Sequence, residues 1–379
     1  MKTPRNWVTR PLSQFVSLQR GFDLPTHARV PGSVPVLSSG GVNGSHNEAK
    51  VDGDNFVIGR ATNIGRPTWS SVPFWPLNTT LFVKDFLGNF PKFCFYWFLA
   101  TDLSGFDSGS VQPMLNRNYI ANIPVAIPSF VEQRRIAGVL GALDDKIESN
   151  RAVVTRAEQL VDEIAKQKAT DLPTVALSEV CSLSKSTWKP DTSSDQTVHL
   201  FSLPAFDGGA VPEQVPVSSI KSNKTLMDRP GILVSRLNPR ISRMWWVETD
   251  ATPVSVCSPE FAYLTAGDMH GLACTWLAVR SPEFRGEIVD RVTGTSGSHQ
   301  RVRPADLMTI GVPDYRSLAE HTQMTVLMLL HLVSAQRQQS VALAELRDAL
   351  LPELMSGRMR VDEAGCLVSE ALDEEVADV

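Results

Sequence analysis

From residue 136 to residue 164, apolar side chains recur at alternating spacings of four and three: Ile136, Leu140, Leu143, Ile147, Asn150, Val154, Ala157, Val161 and Ile164. That is a heptad seam, and no Gly or Pro interrupts it between Gly141 and Pro173, so the pattern predicts one long helix over 132–170. The seam would run roughly 45 Å at about 1.5 Å per residue. Asn150 is its polar member, a residue type that lowers coiled-coil stability while fixing register and partner orientation. A second helix is predicted over 317–357, where Val326, Leu329, Val333, Leu343 and Leu350 keep the same spacing and Gln336, Ser340 and Arg347 fill polar positions between them. Pro352 is expected to kink or end this helix, and Gly357 suits its C-cap. A stripe as long as the first needs a partner, so the two helices are expected to pair antiparallel.

Elsewhere the pattern is short. β-Branched and aromatic runs broken by Gly and Pro predict strands at 55–58, 80–83, 125–127, 232–234, 253–257 and 309–312. Two of them end on proline (Ile127-Pro128 and Val312-Pro313), and a Ser-x-x-Glu capping signature follows each, Ser129 with Glu132 and Ser317 with Glu320.

These paired features belong to a wider internal repeat. Pro11–Leu18 resembles Ala176–Leu183 at an offset of 165, and Phe56–Arg60 resembles Ile232–Arg236 at 176. Gly109–Gln112 matches Gly297–Gln300 at 188, as the two capping signatures do. Four matches in the same order predict a duplicated chain. The expected fold is α+β: two similar mixed α/β modules, residues 1–131 and 171–316, separated by two long antiparallel coiled-coil helices, 132–170 and 317–357, with an acidic tail at 358–379.

Composition changes the picture through where the charge lies. The net charge of −5 over 379 residues looks wrong for a nucleic-acid binder. Yet residues 1–131 carry 11 basic and 7 acidic side chains, whereas residues 319–379 carry 4 and 11. A further basic cluster, Lys221, Lys224, Arg229, Arg236, Arg240 and Arg243, faces only Asp228. Such clusters mark either a solvated surface or a nucleic-acid footprint. The longest apolar stretches, Phe93–Ala100 and Thr325–Leu330, are too short to span a bilayer, and no apolar segment of a secretory signal follows Met1. The five cysteines form no C-x-x-C pair, so reduced thiols in the cytoplasm are expected rather than a disulfide framework or zinc site.

Catalytic signatures are missing. There is no phosphate-binding G-x-x-x-x-G-K-[ST], no G-x-G-x-x-G and no H-E-x-x-H, and Gly294–Gly297 misses a nucleophile elbow. Asn238-Pro-Arg240 is only superficially like an amino-methyltransferase motif, because no Pro and aromatic follow it. The seven histidines show no metal-ligand spacing. The expectation is a non-catalytic chain.

The run Ile127-Pro-Ser-Phe-Val-Glu-Gln-Arg-Arg-Ile-Ala-Gly-Val-Leu-Gly-Ala-Leu-Asp-Asp-Lys-Ile-Glu-Ser-Asn150 resembles the first conserved region of type I restriction–modification specificity subunits, and Leu350–Val361 resembles the end of their second. Glu320-His321 stands where a second Glu-Gln would be expected. The resemblance implies two target-recognition domains, each reading one half of a split, asymmetric double-stranded DNA sequence. It implies conserved helices that set the spacing and dock methyltransferase subunits, two of them, with restriction and translocase subunits beyond. S-adenosylmethionine, ATP and Mg would then serve those partner chains, and none is expected in this one.

On that reading, base edges fall to Arg, Lys, Asn, Gln, Ser and Thr on exposed loops, and phosphates to the remaining basic groups. The candidates in the first module are Ser38, Ser39, Asn43 and His46; Arg60, Thr62, Asn63 and Arg66; and Gln112, Asn116, Arg117 and Asn118. In the second they are Arg236, Asn238, Arg240 and Arg243, then Ser298, His299, Gln300, Arg301 and Arg303, with Lys221 and Lys224 on phosphates. Trp245-Trp246 is expected in the core. The competing readings are a coiled-coil scaffold joining two protein-binding modules and a fragment of a fused methyltransferase–nuclease.

Overall fold

The computed structural model describes residues 6–106, 114–191, 193–249, 252–292 and 300–373. The chain divides into two compact units, residues 1–146 with 343–379, and residues 147–342. Each unit therefore joins one module to a stretch of both long helices.

The first unit runs through β1 (Val8–Pro11), β2 (Ser17–Arg20), β3 (Val34–Ser38), β4 (Gly41–His46), β5 (Asn55–Gly59), β6 (Pro67–Ser70), β7 (Trp75–Pro76), β8 (Thr80–Asp85), α1 (Pro91–Ala100), α2 (Arg117–Ile120), β9 (Pro124–Ile127) and the start of α3 (Phe130–Ala169). Its central sheet has the order β2-β8-β5-β6, a smaller sheet the order β4-β3-β7, and β1 pairs with β9. All five residues of β5 are buried, which is why its sequence is a continuous apolar run rather than an alternation. The Phe56 ring lies 5.5–6.4 Å from those of Trp69, Phe86, Phe95 and Phe98. The apolar run at Phe93–Phe98 is thus an all-round buried helix covering that sheet.

The second unit contains β10 (Thr174–Ala176), α4 (Leu177–Val180), β11 (Ser182–Leu183), β12 (Thr187–Trp188), β13 (Thr197–Phe201), α5 (Leu203–Asp207), β14 (Glu213–Pro216), β15 (Lys224–Met227), β16 (Gly231–Ser235), β17 (Met244–Val247), β18 (Ser255–Cys257), β19 (Phe261–Thr265), α6 (Met269–Arg280), α7 (Pro282–Asp290), α8 (Pro304–Leu307), β20 (Gly311–Pro313) and most of α9 (Glu320–Ser356). Its central sheet, β11-β19-β16-β17, repeats that of the first unit strand for strand. β13 pairs with β14 antiparallel and β18 parallel, just as β3 pairs with β4 and β7. Here β15 and β12 extend the second sheet. The registers also correspond: Ile58 opposes Leu81 where Val234 opposes Ala262, and Phe56 opposes Trp69 where Ile232 opposes Trp246. The repeat is thus a duplicated three-dimensional unit. Trp245 and Trp246 are both core residues at 3% exposure.

Within the first unit, Ile136, Leu140 and Leu143 of α3 and Leu343 and Leu350 of α9 are buried. Asp144 accepts hydrogen bonds from Tyr96 Oη at 2.6 Å and Arg347 Nη1 at 2.9 Å. Within the second, Ile147, Asn150, Ala157 and Val161 are buried, while Val154 and Ile164 are half-buried. Asn150 Nδ2 donates to Gln339 Oε1 at 2.6 Å, and Arg337 pairs with Glu158 at 2.8 Å, so the two stretches run antiparallel there. On α9, Val326 and Val333 are buried, and Leu330 takes the buried position beside a half-buried Leu329. Pro352 lies inside α9 instead of ending it, because Leu350, Leu351 and Leu354 are buried around it. Gly357, at φ +68°, supplies the left-handed residue that closes the helix. Part of the acidic tail forms α10 (Val361–Asp373), with Ala364 and Val368 buried.

The starts of the long helices correct the sequence offset. Ser129 Oγ accepts from Glu132 N–H at 3.3 Å, as expected of a cap. Ser317 does not cap: its hydroxyl donates to Asp314 O, and α9 begins only at Glu320. The true correspondence is Gln133 with Gln323, whose Nε2 atoms donate to Pro128 O at 3.1 Å and Leu318 O at 2.9 Å. The offset is therefore 190, and Thr322-Gln323, not Glu320-His321, stands where Glu132-Gln133 stands.

Candidate nucleic-acid interface

In the first unit, three of the candidate segments meet. β5 ends at Gly59, and the chain turns through Arg60–Arg66 with Asn63 left-handed at φ +49°. Asn63 Nδ2 donates to Ser39 O at 3.1 Å, tying this loop to the β3–β4 turn. Arg60 Nε donates to Leu115 O at 3.2 Å and Nη1 to Asn78 O at 3.1 Å, while Leu115 N–H donates to Arg60 O at 2.9 Å. Thr62, Asn63 and Arg66 are exposed there, and Asn118 beyond Leu115 is exposed too. Asn116 caps α2 by accepting from Asn118 N–H, and Arg117 Nη1 donates to Leu18 O at 3.1 Å.

Other candidates turn inward. Ser39 is 6% exposed and donates to Thr79 O, and Ser38 Oγ closes its turn on Gly41 O. His46 is 6% exposed, its Nδ1 accepts from Val30 N–H at 3.1 Å, and its ring packs edge-on against Trp75. Burial and local hydrogen bonding remove Ser39 and His46 from any surface. Asn43 is exposed, and its Oδ1 accepts from Arg29 Nη1. Gln112 lies outside the described residues, as do Ser298 and His299.

In the second unit two candidate segments meet. Asn238 is left-handed at φ +49°, like Asn63, and its N–H donates to Gln300 O at 2.9 Å. Val302 N–H donates to Arg236 O at 3.0 Å, and Leu237 bridges Arg301. Arg236 Nε donates to Val302 O at 3.1 Å and Nη1 to Pro259 O at 2.9 Å. Arg301 forms a fork with Glu260 at 2.8 and 3.0 Å, and Arg243 one with Asp207 at 2.7 and 2.9 Å. Those two acidic partners had no signal in the sequence, since each lies 36 to 41 residues from its arginine. Arg240 and Arg303 are exposed. Lys221 is exposed on a separate segment, and Lys224 Nζ, at the start of β15, donates to Ser222.

Electrostatics follow the same division. Burial pulls the Arg60 and Arg236 guanidinium groups below their ordinary value, against Glu260 in the second case. The hydrogen bonds from Arg243 and Arg301 hold the Asp207 and Glu260 carboxyls below the usual range. Among the described residues no group of His, Cys, Asp and Glu is placed to hold a metal ion, and no helix is long and apolar enough to cross a membrane. The arrangement exposes polar and cationic side chains on loops tied to one another by hydrogen bonds.

Residues 4–159 match the type I restriction modification DNA specificity domain. The crystal structure of a type I restriction-modification system S subunit from M. genitalium is similar in fold, with a TM-score of 0.61 at 14% identity, over 93% of this chain and 98% of that one. The HsdS subunit from Thermoanaerobacter tengcongensis matches at 14% identity over 98% of this chain and 97% of that one, with a TM-score of 0.30. No curated protein sequence matches the chain.

Proposed function

We propose that the chain is a member of the type I restriction–modification DNA specificity family, whose domain model matches residues 4–159, and that each of its two units reads one half of a bipartite, asymmetric target in double-stranded DNA. It is the non-catalytic member of its complex. The observation that carries the half-site reading is the duplication itself: two units with one central-sheet order and one strand register present loops of different length and different side chains. Thr62, Arg66 and Asn118 in the first unit, and Arg240 and Arg303 in the second, are the exposed groups best suited to base edges, with Lys221 on a phosphate.

Methyltransferase subunits dock on the long helices in this reading. Leu160, Met324, Met328 and Leu332 leave large apolar groups exposed on α3 and α9, Met328 at 65%. Scattered singly they would mean little; Met324, Met328 and Leu332, spaced four apart on one face of α9, suit a covering partner. Restriction and translocase subunits, with ATP and Mg, join beyond them.

Electrophoretic titration of the cognate methyltransferase with and without this chain tests the function. Sequence-selective binding that appears only with the chain, and weakens steeply as salt rises, is the expected result. Equal selectivity without it would refute the assignment. Met328→Glu with Leu332→Glu should abolish co-purification with the methyltransferase while leaving the fold intact by circular dichroism.

A further inference from the structure

We propose that Arg60 and Arg236 are twin positioning residues: each holds the recognition loops of its unit in shape through backbone carbonyls and reads no base itself. The inference rests on the DNA-reading assignment above, which it deepens.

Four hydrogen bonds recur around each arginine. The backbone N–H of Arg60 donates to Thr79 O at 2.9 Å, and that of Arg236 to Glu260 O at 2.8 Å. The backbone oxygen accepts from Leu115 in one unit and Val302 in the other. Nε returns a bond to the oxygen of that same residue, and Nη1 reaches the carbonyl just before the first acceptor, Asn78 or Pro259. One side chain thus joins three segments: the loop after the central strand, the turn before the neighbouring strand, and the stretch leading to α2 or α8.

The surroundings of the two clamps differ. The loop Ala61-Thr-Asn-Ile-Gly-Arg66 in one unit is Leu237-Asn-Pro-Arg-Ile-Ser-Arg243 in the other. The offset between units is 176 at the arginine, 181 at the carbonyl it reaches with Nη1, and 187 at the residue it grips with Nε. Loop lengths and side chains have diverged around an unchanged joint. A frame held constant while its loops vary is what a pair of readers with different targets requires. The chemistry explains the residue type. Two carbonyls at a fixed angle need a planar, pre-organised fork of donors, which arginine has and lysine, a point charge on a flexible stem, lacks. With Nε committed to a carbonyl, the Nε–Nη2 edge of the guanidinium is not free for a bidentate guanine contact, and Nη1 on the remaining edge is already engaged.

Two arms on the full chain decide this. Without DNA, hydrogen exchange of Arg60→Lys and Arg60→Ala should accelerate at Leu115 and Arg66 by about tenfold, the effect of losing a hydrogen bond of ordinary strength. Val302 in the untouched unit serves as control, and Arg236→Lys should give the mirror result. In the assembled methyltransferase, selection from randomised DNA should then relax at every specified position of one half-site and at none of the other. The lysine variant keeps the charge and the fold, so it separates clamp from cation. Relaxation at a single base position with unchanged exchange would make Arg60 a base reader and overturn the proposal. A uniform loss of affinity with a salt slope reduced by about one and unchanged exchange would make it a phosphate contact, overturning it equally. Absence of any sequence selection by the unsubstituted complex would refute the DNA-reading assignment, while the exchange arm would still decide the clamp.

Discussion

Gln133 is 2% exposed, and both ends of its amide are committed inside the first unit. Oε1 accepts from Phe90 N–H at 2.8 Å, and Nε2 donates to Asn89 Oδ1 and Pro128 O. Truncating one member of such a buried network leaves several groups unsatisfied, so Gln133→Ala should destabilise the unit by about 2–3 kcal/mol in a denaturant titration. Glu260 gives a pH dependence. Its carboxyl is held low first by the hydrogen bond from Arg301, so the stabilisation is complete above the unfolded value of roughly 4.3 and is lost as pH falls through the lower folded value. The protection of the Val302 amide should drop over that acid range, and Glu260→Gln should reproduce the drop at neutral pH. At this scale the sequence carried identity without role. Arg60 and Arg236 stood out as a matched pair, but their acceptors are carbonyls 18 to 66 residues away, and carbonyls leave no trace in a sequence.

At the scale of elements, the periodic segments were the legible ones. The heptad spacing located α3 to within two residues at its start, and the buried strands β5 and β16 lie where their apolar runs are. In the second sheet of each unit only β18 fell within a marked run; Val34–Ser38 and Thr197–Phe201 are interrupted by Pro or polar residues and owe their pairing to partners far along the chain. The second capping signature misled for a different reason. Ser-x-x-Glu is short enough to recur two residues out of phase, and only the glutamine bonds reveal the phase. A pair of substitutions separates the two serines. Ser129→Ala should cost about 1 kcal/mol in thermal or chemical unfolding, the usual worth of an N-cap, whereas Ser317→Ala should change stability by less than about 0.5 kcal/mol.

For the whole molecule, the net charge of −5 was a poor guide, since the acids gather after residue 319 while the first module is basic. Duplication was the better guide, for it predicts two readers rather than one long groove. Its growing offset, from 165 at the first strand to 190 at the long helices, records length added in the second unit, including the extra strands β12 and β15. Two modest half-site affinities carried on one chain give one specific event, because the second contact is made at high effective concentration. Sequencing of methylated adenines at single-molecule resolution, in cells expressing this chain with its methyltransferase, tests that picture most directly. The expected result is a motif of two specified blocks separated by a fixed number of unspecified bases. A single uninterrupted motif, or methylation at unchanged sites when this chain is omitted, would contradict it.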